Sequence, residues 1–160
     1  MIKQINKKIL ISILIFISLI LASAFIIQYE LGHQPCKLCV YQRIPYFLSI
    51  LLIMKIFVIK TDEKITLLIL SLVFIAGSIL AFYHFGIEQG FFKESLACTT
   101  KNLSEILSKE EIIEQLKENT IGCKDVSFKI FGFSLAAINT IFSILLSVIF
   151  VRLFINYGKN

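Results

Sequence analysis

A chain of 160 residues fits one domain, and its composition excludes an ordinary soluble one: 57% of residues are hydrophobic, 17% are charged, and mean hydropathy is +0.84. The formal charge of +5 does not point to nucleic acid, because the lysines behind it flank long apolar runs. No internal repeat, low-complexity tract or separate soluble domain interrupts those runs.

A bilayer-spanning helix needs about 20 apolar residues, and four stretches supply them. They cover about 9–29, 40–59 (or 44–59), 65–87 and 133–155. Lipid offers no partner to backbone polar groups, so each span must satisfy its own as a helix. The expected fold is an all-α integral membrane protein, a four-transmembrane-helix bundle forming a single membrane domain over residues 1–160.

The first span follows Lys3, Lys7 and Lys8 and contains Ala22-Ser23-Ala24, which resembles a signal-peptide cleavage site. Its apolar run continues through Phe25, Ile26 and Ile27, long enough to cross, so a retained span is expected. Orientation follows from lysine and arginine density in the short flanking segments. With the N-terminus inside, segments 1–8, 55–64 and 152–160 hold eight basic residues in 27 positions. The outer segments, 30–43 and 88–132, hold eight in 59. Both termini are therefore expected in the cytoplasm.

The first outer loop carries Pro35-Cys36-Lys37-Leu38-Cys39, a C-x-x-C pair of the kind that forms a small, reducible disulfide and holds one thiol at lowered pKa. The same spacing also fits half of a structural zinc site. The two further ligands are not evident, since Cys98 and Cys123 are far apart and the only histidines are His33 and His84. All four cysteines fall in outer loops, which reads as disulfide chemistry in an oxidising compartment, and no metal ligand is assigned. Arg43 stands four residues after Cys39, and the two would share a helix face. Pro45 belongs in a first turn, which would start the second span near Ile44 and leave Cys39 in a preceding turn. Arg43 then reads as a thiolate-favouring cation or as an interfacial anchor.

The third span runs outward and ends in Tyr83-His84-Phe85-Gly86-Ile87-Glu88. His84 reaches the depth of Arg43, with Glu88 one turn later as a partner. An ionisable group at that depth is a functional candidate, with simple anchoring as the alternative. In the long second outer loop, Asn102-x-x-Glu105 and Ser108-x-x-Glu111 resemble capping boxes, and Ile112, Ile113 and Leu116 form an apolar side ahead of Gly122. A short amphipathic helix on the bilayer surface is expected there, with a solvated charged loop as the alternative. Asn139, inside the fourth span, is read as a helix-packing residue, with contact to quinone as the alternative.

Taken together, these residues resemble the disulfide-bond-formation protein B (DsbB) family. The resemblance lies in Pro35-Cys36-Lys37-Leu38-Cys39-Val40-Tyr41-Gln42-Arg43, in Tyr83-His84-Phe85-Gly86-Ile87-Glu88-Gln89-Gly90, and in Cys123-Lys124-Asp125 followed by Gly132-Phe133-Ser134-Leu135-Ala136 and Asn139. Phe128 stands where many members have Trp, and Gln42 where some have Glu. The resemblance implies a protein dithiol:quinone oxidoreductase of the bacterial inner membrane. It would reoxidise a periplasmic thioredoxin-like dithiol oxidase (DsbA-like) and pass the electrons to the membrane quinone pool, ubiquinone or menaquinone. It also implies redox-active disulfides Cys36/Cys39 and Cys98/Cys123, with Cys98 attacked by the partner, Cys39 donating to quinone, and Arg43 and His84 binding the quinone. The alternatives are a vitamin-K-epoxide-reductase-like oxidoreductase, whose C-x-x-C belongs to a late span, and a metal-binding or purely structural membrane protein with braced loops.

Overall fold

The structure is a computed structural model that describes residues 7–59, 62–93, 122–124, 129–130 and 132–157. The amphipathic helix expected within 102–121 and residue Cys98 lie outside the described residues. Helix α1 spans Lys7–Tyr29, a short α2 spans Lys37–Tyr41, α3 spans Ile44–Ile59, and α4 spans Glu63–Glu88. Strands β1 (Lys129–Ile130) and β2 (Phe133–Ser134) pair antiparallel, Lys129 opposite Ser134, and lead into α5 (Leu135–Asn156). Among the described residues, four segments are long and apolar enough to cross a membrane: α1, α2 with α3, α4, and α5.

The helices are apolar outside as well as inside. Ile11, Ile15 and Leu19 of α1, Leu51 and Val58 of α3, and Ile79 and Phe82 of α4 are all exposed. In water such a surface would aggregate; in lipid it is the face the solvent requires. The interior stripe of α1, Leu10, Ile13, Ile17 and Leu21, meets Ile53 and Ile56 of α3, Leu67 and Leu70 of α4, and Leu146 of α5. Phe74 of α4 joins the layers at mid-bundle: it stacks on Phe150 at 5.3 Å and meets Tyr46 edge-on at 5.6 Å.

Small residues let α4 and α5 lie close, which matters in lipid because apolar contact with a neighbour gains little over contact with tails. Ser71 and Ala81 on α4, and Ala137, Thr140, Ser143 and Ser147 on α5, are buried. Hydroxyls in the spans bond back to their own helix, as Ser71 Oγ donates to the Leu67 carbonyl at 2.8 Å and Thr140 Oγ1 to that of Ala136 at 2.7 Å.

Two local features set the site. Pro45 has no N–H, so the second span breaks into α2 and α3 around Gln42 and Arg43. A helix start near Ile44 was expected, but Cys39 lies inside α2 and not in an irregular turn, because the residues before the proline make a helical turn of their own. Gly77 receives the Pro45 ring: a Cβ there would stand 3.2 Å from Pro45 Cγ. At its outer end α4 stops in a Schellman turn, where Gly90 (φ +78°) lets Phe91 N donate to the Gly86 carbonyl at 2.8 Å and Gly90 N to that of Ile87 at 3.0 Å. The fourth span begins two residues later than the expected 133, since Phe133 and Ser134 pair in β2 and the Ser134 hydroxyl caps α5 by accepting from Ala137 N at 3.2 Å.

Candidate functional site

Pro35 delivers an extended chain to Cys36, whose sulfur takes the place of a capping oxygen at the start of α2. It accepts from the backbone N–H of Cys39 at 3.2 Å. One helical turn brings the Cys39 Sγ to within 2.7 Å of the Cys36 Sγ, and both are free thiols. From α4, His84 Nε2 approaches Cys36 Sγ at 3.5 Å. The Cys36 thiol titrates far below its ordinary 9.0, at about 5: the hydrogen bond from the Cys39 thiol lowers it most, burial opposes, and His84 lowers it further. A capping sulfur that accepts from a helix N–H while facing an imidazole is placed to favour the thiolate.

His84 is only 2% exposed and is held from its other nitrogen by Gln42, whose Nε2 lies 2.9 Å from Nδ1. A side-chain chain continues from there across the bundle. Asn139 Nδ2 donates to Gln42 Oε1 at 2.6 Å, Tyr46 Oη donates to Asn139 Oδ1 at 2.5 Å, and Ser143 Oγ lies 3.2 Å from Tyr46 Oη. Because the Gln42 amide nitrogen has only hydrogens to offer, Nδ1 accepts, and the neutral ring carries its proton on Nε2, facing Cys36.

On the other side of this chain lies a cavity of about 460 Å³, walled by Leu21, Ala24 and Ile27 of α1 and by Ile138 and Phe142 of α5, among others. Its polar edge is Cys39, Gln42, Arg43, Tyr46 and Asn139, with His33 and Gln34 at the loop side. Arg43 is tied down within it: Nη1 donates to Gln28 Oε1 at 2.6 Å, and the guanidinium lies over the Phe25 ring, 5.1 Å from its centroid. Cys123 is disulfide-bonded, 2% exposed, and packs in one buried cluster with Cys36, Leu38 and Ile87. Its main chain faces the His84 ring.

A C-x-x-C turn that meets a second, oxidised cysteine on one side and an apolar cavity on the other narrows the possibilities to thiol–disulfide chemistry at a membrane edge. Residues 6–153 match the family model described as Disulfide bond formation protein DsbB. The chain belongs to the DsbB family. A similar protein is the uncharacterized protein RP370 of Rickettsia prowazekii (strain Madrid E), 32% identical over 162 residues, covering 99% of this chain and 94% of that protein. Membership makes this a multi-pass membrane oxidoreductase of disulfide-bond formation.

Within this DsbB-family site, the structure brings Cys36, Cys39, His84 and Cys123 together, and it puts Arg43 on the cavity wall beside Cys39. His84, expected at the quinone, is not among the residues lining the cavity; it reaches that space only through Gln42. Glu88, expected as the partner of His84, lies 3.8 Å from Nε2. Gln28, Gln42 and Tyr46 were not read as site residues from the sequence, although a signal existed: each is a polar side chain set in an apolar span. Asn139 does join helices, as expected of a packing residue, but it does so along the cavity's polar edge.

Proposed function

We propose that this protein reoxidises a periplasmic, thioredoxin-like dithiol oxidase and passes the two electrons to a membrane quinone. The observation that carries this reading is the position of the Cys36/Cys39 pair, with Cys36 packed against buried Cys123 and Cys39 on the wall of the apolar cavity. One pair thus touches both a second disulfide and a space suited to a lipid-soluble ring.

In this reading Cys98 and Cys123 form the disulfide that a reduced partner attacks at Cys98. The partner leaves as a disulfide, and the dithiol left at Cys98 and Cys123 reduces the Cys36/Cys39 disulfide through thiolate attack and mixed disulfides. A quinone, ubiquinone or menaquinone, supplies the acceptor for two electrons and two protons. The residues present fit such a group: the cavity is predominantly apolar, and Arg43, Gln42 and Asn139 offer donors at one edge. Arg43 would hold a quinone oxygen, with Gln28 and Phe25 fixing its direction. Cys39 is the sulfur facing that space and would be the donor to it. His84 would act from behind, steadying the Cys36 thiolate while Gln42 sets its tautomer.

Basic-residue density supports an inner-membrane orientation with both termini cytoplasmic and the four cysteines periplasmic. Reconstitution in lipid with a reduced dithiol oxidase and quinone tests the whole reading, following quinone absorbance. Stoichiometric quinone reduction that depends on all four cysteines is expected. Thiol oxidation of the partner without quinone consumption would overturn it.

A further inference from the structure

Cys36 Sγ, Cys39 Sγ and a ring nitrogen of His84 all lie within 4.8 Å of one another, buried or half-buried. Two thiolates and an imidazole are a soft donor set of the kind that holds zinc and its thiophilic relatives. Zinc bonds of about 2.3 Å to sulfur and about 2.0 Å to nitrogen place sulfur and nitrogen roughly 3.5 Å apart at a tetrahedral angle. The Cys36 Sγ to His84 Nε2 separation is 3.5 Å. The two sulfurs, at 2.7 Å, need to part by about 1 Å, which rotation of the half-buried Cys39 side chain supplies.

Three further features favour a cation here. Two thiolates neutralise a divalent ion, so the complex carries no net charge into a low-dielectric site. Gln42 supports the ligand from behind: rotating its amide presents Oε1 to an Nδ1–H, freeing Nε2 for the metal, and Asn139 can rotate in step because each amide carries both donors and acceptors. Finally, Glu88 places a carboxylate beside His84, outside the donor set, where its charge favours a cation. Its side chain is 7% exposed, Oε1 stands 3.8 Å from His84 Nε2, and Oε2 is buried without a hydrogen-bond partner among the described residues. The Ser134 hydroxyl faces the same carboxylate and Lys129 lies near it, but neither occupies Oε2.

We infer that the reduced Cys36/Cys39 pair, with His84, forms a binding site for a thiophilic divalent cation such as zinc, and that occupancy halts the enzyme in its reduced state. Binding displaces the thiol protons and moves no electron. Both sulfurs are then committed to the metal, so neither attacks a disulfide nor donates to an acceptor. Oxidation of the pair removes the thiolates and abolishes the site. The inference rests on reading this pair as redox-active, but metal binding is measurable without quinone or partner.

The test uses the full chain carrying Cys98→Ser and Cys123→Ser, so that only the membrane-edge pair titrates, with maleimide counting its two thiols after reduction. Zinc chloride is titrated in competition with a chromophoric chelator. One zinc per reduced chain and none per oxidised chain are expected, with His84→Ala weakening binding by at least about tenfold. X-ray absorption at the zinc edge of the otherwise unaltered site should show two sulfurs and one imidazole nitrogen, and this holds the inference to account even if His84→Ala does not fold. Equal binding by the oxidised protein, a first shell without imidazole, or no binding by protein whose two thiols react would overturn it. Failure of the proposed oxidoreductase function would show separately, as absent quinone reduction by metal-free protein with all four cysteines.

Discussion

Cys36 Sγ and His84 Nε2 lie 3.5 Å apart although 48 positions separate them in the chain. The contact joins a helix-capping sulfur in the first loop to the last turns of the third span. It is short-range electrostatics between a thiolate and a ring N–H, both groups being buried, and it makes the acidity of one group depend on the identity of the other.

The first expectation follows from that pair. Cys36 titrates at about 5 against an ordinary 9.0, so its reaction with iodoacetamide in reduced protein should be nearly pH-independent above 7 and should fall as pH drops through about 5. His84→Ala removes a donor to the thiolate, which disfavours the charged form, so the midpoint should rise. A midpoint that stays at its wild-type value would mean that His84 contributes nothing to Cys36. The lowered value also stabilises the folded, reduced protein: the contribution is complete above the unfolded thiol's pKa and is lost as pH falls through about 5.

Arg43 is the second. Replacing it with alanine removes a charged donor worth roughly 1.5–3 kcal/mol from the cavity edge, so quinone KM should rise or quinone reduction slow by about tenfold to a hundredfold. Single-turnover exchange with the partner oxidase should keep its rate. Lysine should rescue only partly, because it keeps the charge and loses the planar fork. Gln28→Leu frees the guanidinium from its 2.6 Å tether and should reproduce a smaller part of the same defect. Steady-state kinetics in liposomes with varied quinone would expose an Arg43 that serves only as an anchor, through unchanged values in the folded alanine variant.

Cys123→Ser should trap a mixed disulfide between Cys98 and the partner oxidase, visible as an adduct on a nonreducing gel. An adduct through Cys36 or Cys39 would reverse the proposed division of labour. All four thiols of reduced protein should also react with a membrane-impermeant maleimide in cells whose outer membrane alone is permeabilised. Labelling only after the inner membrane is broken would invert the orientation.

Packing at Gly77 gives the last expectation. A Cβ at this position already approaches Pro45 to 3.2 Å, and valine adds two methyl groups where the ring sits. Gly77→Val should push α3 from α4 and destabilise the bundle by about 1–3 kcal/mol, read as a shifted detergent-denaturation midpoint by circular dichroism. Since the displaced proline follows Gln42 and Arg43, the Cys36 pKa should rise as well. An unshifted denaturation midpoint would show that the close approach is not required.

The sequence by itself determined the class of the protein and the inventory of its chemistry. Runs of about 20 apolar residues have few alternatives to spanning helices, because lipid satisfies no backbone group. The C-x-x-C spacing likewise dictates that two sulfurs meet within one turn. These are local constraints, written in consecutive residues. Which face of one helix meets which face of another is not local, and only the tertiary structure decided it. Gln42 reaches His84 across 42 positions and Asn139 across 97, and Gly77 opposite Pro45 sets how closely the helices carrying them approach. For that reason His84 was legible as a functional histidine near the depth of Arg43, but not as a neighbour of Cys36 separated from the cavity by Gln42. Gln28 and Tyr46 become site residues only where the bundle aligns them, since a period of 3.6 assigns a residue to a face and leaves open what lies across from it.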